Sequence, residues 1–567
     1  MMERVLTSVP DAARRTSVSR RVCVGAALAI IAASWIALCG FRGLYNPDEG
    51  RYAEIPREML AAGNWVIPHL DGLIYIEKPP LQYWATALAY EVFGQSEWSA
   101  RLYTALAGLA TVLVTAWLAR RLWGAAAAWR SGIVLGSSLM VLLMSHQVTL
   151  DMGLTFYMTL TLAAFCIAQR DETPLARRRG WMALAWASAA GAFLTKGLEA
   201  GAIPVLVLIV YSLIQRDRKP WARLYPLTGL AVFLALAGPW FWLIQKRLPP
   251  FFDFFIIREH FERYLTPIEQ RYKPWWFFSM ILALGSLPWI LPSVRALVTG
   301  WRAREPGGHF DARRLLWVWC IVVLVFFSAS DSKLIPYILP LFPALALLIG
   351  SAEEGRLAAD LRATALGLAV AGIVLVLGAA LSGPLVSHLV REPSEVPYFL
   401  GTRGPVLWIG AACLVGGILA RFLGWRRGGS LPLTATIGAA AYVAFFGVVW
   451  AARVLVPLYS GAPLVAQLPQ ALRGIPALYG VRMYDQSLPF YLKRTVTLVE
   501  YRGELDFGLT LEPHKGIDTL AAFEPRWRAG RQALAVMSPG TFGVLAHDGL
   551  PMVVRARTPK ELIVSRF

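Results

Sequence analysis

The chain has 567 residues, 56% of them hydrophobic, with a mean hydropathy of +0.51. That is too apolar for an ordinary soluble protein. The net charge of +19 would by itself suit nucleic acid, but the arginines sit in short links between apolar runs, which is the pattern of a membrane protein and leaves no nucleic-acid partner.

Only helices and closed barrels satisfy their backbone in lipid. The apolar runs are unbroken over about 17–22 residues, the length of a crossing helix and not of a strand. A basic tail over residues 1–21 (Arg4, Arg14, Arg15, Arg20, Arg21) precedes a first span at Val22–Phe41. That span lacks a convincing cleavage site, so it reads as retained. Further spans are expected at about 99–119, 131–149, 152–169, 181–195, 201–215, 226–244, 275–294, 315–330, 335–350, 363–381, 405–420 and 431–452, about 13 in all.

Every second link, beginning with the tail, is arginine-rich: Arg120, Arg121 and Arg130; Arg170 and Arg177 to Arg179; Arg216, Arg218, Lys219 and Arg223; Arg302, Arg304, Arg313 and Arg314; Arg356 and Arg362; Arg421, Arg426 and Arg427. This alternation predicts a cytoplasmic N-terminus. An odd span count then puts the C-terminal segment outside.

The five cysteines (Cys23, Cys39, Cys166, Cys320, Cys413) lie in or beside apolar spans and form no CxxC pattern, so neither a disulfide framework nor a zinc finger is expected. Two outer links are long, 42–98 and 245–274. The aromatic and charged run at 249–264 suits a helix in the interface plane. Beyond Arg453 the hydropathy falls. Runs at 477–484, 495–501, 533–537 and 552–556 read as strands, and 462–473 and 516–523 as helices. The expected class is therefore mainly α: a polytopic helical membrane domain over 1–452, with interfacial helices, and a small α/β domain on the outer side over 453–567.

The ionisable groups concentrate in Tyr45-Asn-Pro-Asp-Glu-Gly-Arg-Tyr-Ala-Glu-Ile-Pro-Arg-Glu-Met59 and Ile76-Glu-Lys-Pro-Pro-Leu-Gln-Tyr-Trp84. Charges held against a membrane are costly and so point to function. Asn46, Pro47 and Glu49 are spaced as N-cap, N1 and N3 of a helix ending near Gly63. Glu49 is then either a cap or a catalytic carboxylate. Asp48 shares a face with Arg51 and Tyr52, three and four positions on, and that grouping exceeds what a cap needs. Pro79 and Pro80 stiffen the turn that holds Glu77 and Lys78, and Lys78 is a point charge suited to phosphate, or else a snorkelling lysine. Arg51, Lys78, Lys196 and Lys333, with Arg258 and His260, place cations on the side that the inside bias would leave bare; phosphate binding explains them. Glu77 and His260 are a possible metal pair, on spacing alone. No GxxxxGK[ST] cradle occurs, which fits a lipid-phosphate donor and not a nucleotide.

These two stretches, with Leu194-Thr-Lys-Gly197 and Asp331-Ser-Lys-Leu-Ile-Pro-Tyr-Ile-Leu-Pro340, resemble the bacterial aminoarabinose transferases, within the wider class of protein mannosyltransferases and oligosaccharyltransferases. The resemblance implies a donor of undecaprenyl phosphate carrying 4-amino-4-deoxy-L-arabinose, lipid A phosphate as acceptor, and the periplasmic face of the Gram-negative inner membrane as location. It implies a catalytic role for Asp48, donor-phosphate contacts from Arg51, Lys78 and Tyr337, and cavity positions for Asp151 and Lys196. Glu49, with Asp48 and Asp151, completes the catalytic candidates; Tyr52, Lys196 and Lys333 complete the donor-phosphate set. No cofactor is required by the sequence, and a divalent metal stays open. The competing expectations are a related transferase moving another polyprenyl-phosphate sugar to a glycan or protein, and a transporter or flippase of lipid-linked sugars. The latter would spread charge through the spans to the cytoplasmic side.

Overall fold

A computed structural model describes residues 11–262, 273–302, 310–427, 429–475, 477–530 and 532–566; the side chains of 11–21, 260–262, 425 and 427 are not described. All thirteen expected spans fall on helices, but they are not thirteen equal crossings. Eight helices among the described residues are long and apolar enough to cross a membrane: Val22–Gly40, Glu97–Trp123, Leu150–Gln169, Pro226–Arg247, Ala312–Ala329, Glu354–Ala380, Val396–Gly424 and Ser430–Val454. A ninth crossing arises if Ala125–Gly136 and Leu139–Ser145, bent by 63°, form one span.

The remaining expected spans are short, charged or broken. Leu175–Lys196 starts with three arginines, and Glu199–Gln215 and Leu341–Gly350 are short. The run at 275–294 divides into Phe277–Gly285 and Ile290–Thr299. Pro288 lies between the pieces, and proline has no N–H to continue a helical ladder. The run at 335–350 likewise opens with a 3-10 turn, Ile335–Ile338, holding Pro336. Hydropathy reads both as continuous because proline scarcely lowers it, whereas the backbone registers every missing donor. The five cysteines are all unpaired in disulfides.

The C-terminal region builds one five-stranded sheet. A two-residue hairpin, β1 (His69–Leu70) and β2 (Leu73–Ile74), lies in the motif loop. The sheet itself comprises β3 (Ala477–Val481), β4 (Thr497–Val499), β5 (Ala533–Met537), β6 (Val553–Arg557) and β7 (Leu562–Ser565), in the order β4-β3-β5-β7-β6. β3 runs parallel to β4 and β5, and β7 antiparallel to β5 and β6. β5 is buried at every position, as a central strand covered on both faces must be.

The last strand, β7, was not expected from the sequence, since its four residues close the chain without a following turn signal. The expected helix at 462–473 is two pieces, Ala462–Gln467 and Gln470–Arg473, divided at Pro469. That at 516–523 begins later, at Leu520–Ala529, because Thr519 caps it through the N–H of Ala522 while Ile517 adds to the edge of β4.

The sheet domain sits on the motif loop. Leu44, Tyr52, Tyr83 and Leu150 share a buried cluster with Tyr484, Phe490, Leu498, Leu505 and Leu509. Backbone and side chain also cross the joint: the Asn46 N–H donates to the Tyr459 carbonyl (2.7 Å), the Leu44 N–H to Tyr491 Oη (2.8 Å) and the Val496 N–H to Asp71 Oδ1 (2.6 Å). The expected interfacial helix is present as a π-wound segment, Asp253–Glu262. Phe251 and Phe255 are buried in one cluster with Trp240, while Phe254 meets Phe507 of the sheet domain, ring centres 4.0 Å apart and tilted by 33°.

Candidate active site

The motif helix runs Asp48–Ala62 and stops at Gly63, which adopts the left-handed conformation (φ 62°) that ends helices cheaply. Its start differs from the expected capping box. Pro47 occupies the N-cap position, no side chain caps the helix, and Asn46 Oδ1 is buried without a partner. Glu49 Oε2 instead accepts from the Tyr45 N–H at 2.9 Å. Its carboxylate is then saturated: Oε1 takes Arg101 Nε (2.7 Å) and the Val148 N–H (3.1 Å), and Oε2 takes Arg101 Nη2 (3.0 Å) and Arg42 Nη1. Burial pushes this carboxyl up, but Arg101 and Arg42 outweigh it and hold the pKa down at about 2. Glu49 is 0% exposed and has no face left for a substrate. Its geometry is that of a tie between the motif helix, the first span and the second, not of a group that meets a reacting atom.

Asp48 and Arg51 point the other way. The Asp48 side chain is 44% exposed and lies 3.5 Å from Arg51 Nη2. Arg51 is buried, donates from Nη1 to Tyr75 Oη (3.0 Å), and faces Glu504 Oε2 at 2.9 Å from Nε. Tyr52 lies alongside, with its ring 5.4 Å from the Arg51 guanidinium carbon and stacked on Tyr83. The expected face of carboxylate, guanidinium and phenol therefore exists, with Tyr75 and Glu504 added to it.

Lys78 is buried 3.3 Å from Glu259 Oε2, a residue of the π-wound segment. Beside it, Ile76 packs with Ala190 and Leu194, which brings the turn of Glu77 and Lys78 close to the end of the Leu175–Lys196 helix. There Lys196 donates to Asp151 Oδ1 at 2.6 Å and lies 4.4 Å from the ring centre of Tyr337. Lys333, also buried, donates to the Ser330 carbonyl in its own turn. The structure thus brings the expected residues into one region as three small groups: Asp48 with Arg51 and Tyr52, Lys78 with Glu259, and Asp151 with Lys196 and Tyr337. Cations and carboxylates alternate through all three, as suits a ligand carrying both signs.

Residues 464–566 match the family model of the aminoarabinose transferase C-terminal domain, and residues 23–255 that of the dolichyl-phosphate-mannose-protein mannosyltransferases. The undecaprenyl phosphate-α-4-amino-4-deoxy-L-arabinose arabinosyl transferase of Pseudomonas paraeruginosa is 34% identical over 502 residues, 83% of this chain and 84% of the relative. The protein of the same name from Erwinia tasmaniensis is 30% identical over 487 residues, 84% and 85% of the two chains. This chain belongs to the aminoarabinose transferase family. The crystal structure of the Cupriavidus metallidurans ArnT bound to undecaprenyl phosphate superposes with a TM-score of 0.89 at 36% identity, covering 96% of this chain and 98% of that one. The apo form of the same protein gives 0.87.

Several residues of the site in this aminoarabinose transferase were not found by reading its sequence. Arg42 and Arg101 flank the motif loop outside the arginine-rich links, and that position is their only mark in the sequence. Tyr75 stands one position before a stretch that was singled out. Glu259 and Glu504 carried no signal, because nothing in sequence order ties them to residues 181 and 453 positions earlier. The suggested metal pair is not testable by geometry, since the His260 side chain lies outside the described residues. Among the described residues no group of three or more His, Cys, Asp or Glu is placed to hold a metal ion.

Proposed function

We propose that this chain transfers 4-amino-4-deoxy-L-arabinose from undecaprenyl phosphate to a phosphate of lipid A. The observation that carries the reading is Arg51: a buried cation on the motif helix, held beside an exposed carboxylate, in a chain that matches arabinosyl transferases over most of its length. In the reaction, a lipid A phosphate oxygen bonds to the anomeric carbon of the sugar. The bond from that carbon to the undecaprenyl phosphate oxygen breaks, and its electron pair leaves with the phosphate. The step balances without a cofactor.

Each residue has a part that follows from its charge. Negative charge grows on the leaving phosphate, and preorganised Arg51 and Lys78 stabilise it there. Lys196 and Lys333 extend the cationic lining toward the phosphates, Tyr337 adds a phenol hydroxyl, and Asp151 keeps the Lys196 ammonium in place. The oxocarbenium-like transition state and the sugar's ammonium both favour a nearby carboxylate, and Asp48 is the accessible one. The acceptor is already ionised near neutral pH, so Asp48 orients and stabilises and does not have to take a proton. The motif loop and sheet domain face the periplasm, with the N-terminus cytoplasmic, which agrees with the arginine-rich links on the other side. The product carries a new ammonium on lipid A and so repels cationic peptides such as polymyxin.

The test is mass spectrometry of lipid A from a host that makes the donor but lacks its own transferase, with this chain or its Asp48→Ala variant. An aminoarabinose mass increment with the wild type and none with an equally expressed variant is the expected result. No increment with either, in a host shown to contain the donor, means another sugar or acceptor.

A further inference from the structure

Arg51 does not hold its position by means of the membrane domain alone. Its Nε lies 2.9 Å from Glu504 Oε2, and Glu504 belongs to the sheet domain, on the 3-10 turn Gly503–Leu505. The other carboxylate oxygen, Oε1, accepts from Gln486 Nε2 at 2.6 Å. The side chain is 15% exposed, so its orientation is set by these two neighbours.

Two glycines fix the frame around it. Gly503, just before Glu504, has φ 46°, a left-handed conformation that favours glycine, and a Cβ there would lie 2.5 Å from Tyr501 Oη. Gly50, just before Arg51, touches the sheet domain so closely that a Cβ would lie 2.5 Å from the backbone of Gln486 and Ser487. The residue before the guanidinium is thus held against the sheet domain, and the one before the carboxylate against Tyr501 of its own turn.

We infer that Glu504 is a positioning residue for the transfer reaction, supplied by the sheet domain, which orients the Arg51 guanidinium toward the donor phosphate. The inference rests on the proposed role of Arg51 at that phosphate. A guanidinium offers five N–H groups in a rigid fork. With Nε in ionic contact with Glu504 and Nη1 donating to Tyr75, the Nη2 edge lies beside the exposed Asp48. Without Glu504 the fork keeps only its bond to Tyr75, and Asp48 is the anion next to it. Pairing fully with Asp48 would occupy the cation and the carboxylate together. Glu504 acts through Arg51 and need not touch substrate.

The experiment compares full-length wild type with Glu504→Gln, Glu504→Asp, Arg51→Ala and Glu500→Gln in lipid nanodiscs, using the undecaprenyl-phosphate aminoarabinose donor and lipid A. Glu500 is a control in the same domain that pairs with Arg482 away from the site. The expected result is a donor KM raised about tenfold in Glu504→Gln with kcat changed much less, partial recovery in Glu504→Asp, and no change in Glu500→Gln, at matched thermal stability. A wild-type donor KM in Glu504→Gln, with transfer lost in Arg51→Ala, overturns the inference and leaves the reading of the site intact. Equal loss of kcat and of folded protein in Glu504→Gln, with KM unchanged, also overturns it, since that is the signature of a purely structural tie. Wild-type transfer by Arg51→Ala removes the reading on which the inference stands.

Discussion

Glu49 and Arg101 form a two-point ion pair inside the protein, at 2.7 and 3.0 Å, with both side chains at or below 1% exposure. Arg101 uses its remaining donors on the carbonyls of Cys39, Arg42 and Gly43. One guanidinium therefore joins the end of the first span to the motif helix. Breaking such a pair leaves a buried charge without compensation and costs about 3–5 kcal/mol. Glu49→Gln and Arg101→Met are each expected to lower thermal stability sharply, with transfer lost only in proportion to folded protein. Transfer per folded molecule, measured after size-exclusion chromatography, checks this. The pair is also insensitive to ordinary acidity. With a folded-state pKa of about 2 against the usual 4.5, its contribution is fully present above pH 4.5 and fades only as pH falls toward 2.

Asp48 is expected to behave in the opposite way. Its side chain is nearly half exposed and makes a single loose contact, at 3.5 Å. Asp48→Ala should shift stability by no more than about 0.5 kcal/mol and abolish transfer. Lys78→Ala should keep a measurable kcat and raise the donor KM, because a second cation, Arg51, still faces the phosphate. Steady-state kinetics on the two purified variants separates the roles. Comparable KM effects with intact kcat in both would remove Asp48 from the chemistry.

Gly50 gives a purely steric test of the joint. A methyl group there meets the main chain of Gln486 and Ser487 at 2.5 Å, and backbone cannot turn aside as a side chain can. Gly50→Ala is expected to cost about 1–3 kcal/mol through overpacking and to separate Arg51 from Glu504. Both thermal stability and donor affinity should fall, whereas Gly63→Ala at the other end of the motif helix, where no atom lies within 4 Å, should cost only the strain of its left-handed conformation.

How much of this could be read from the chain depended on whether the determinant was local. The motif helix was legible to its last residue because Pro47 and Gly63 mark its ends and Arg51 must fall one turn after Asp48. The helical membrane domain was legible from apolar run length. The number of crossings was not, because a run such as 275–294 looks continuous in hydropathy while Pro288 divides it. Glu49 has the spacing of a capping box, but two arginines and the Val148 N–H from outside the helix hold its carboxylate. Glu504 and Glu259 were invisible. Each reaches the site through tertiary contact alone, and although Glu259 lies in the aromatic and charged run at 249–264, nothing in that run names Lys78 as its partner.

The joint between motif helix and sheet domain also contains a group of acids with too few cations, and this sets a pH dependence. Glu54 is fully buried and paired with Arg57 on the same helix. Burial nevertheless raises its pKa to about 8, the Arg57 pairing opposing and Glu58 adding to the rise. Asp71, on the hairpin turn, is raised well above the usual range by burial, with the Val496 N–H opposing and Glu58 and Glu54 adding. Tyr484 of the sheet domain faces them, with Glu504 beyond it, and Tyr90 closes the side toward Arg57. Asp71 Oδ2 is buried without a partner, which favours the protonated form of that carboxyl. A carboxyl whose folded pKa exceeds its unfolded one binds the proton more tightly in the native state, so stability falls as pH rises between the two values. For Glu54 that window runs from 4.5 to about 8. The wild-type melting temperature should therefore decline across it, and the C-terminal domain should become more susceptible to limited proteolysis at the alkaline end. Asp71→Asn keeps an acceptor for the Val496 N–H, tolerates the left-handed backbone at that position (φ 58°), and removes one of the competing charges. It should flatten the decline. A melting curve with the same slope in wild type and variant would show that protons at this joint do not govern its stability.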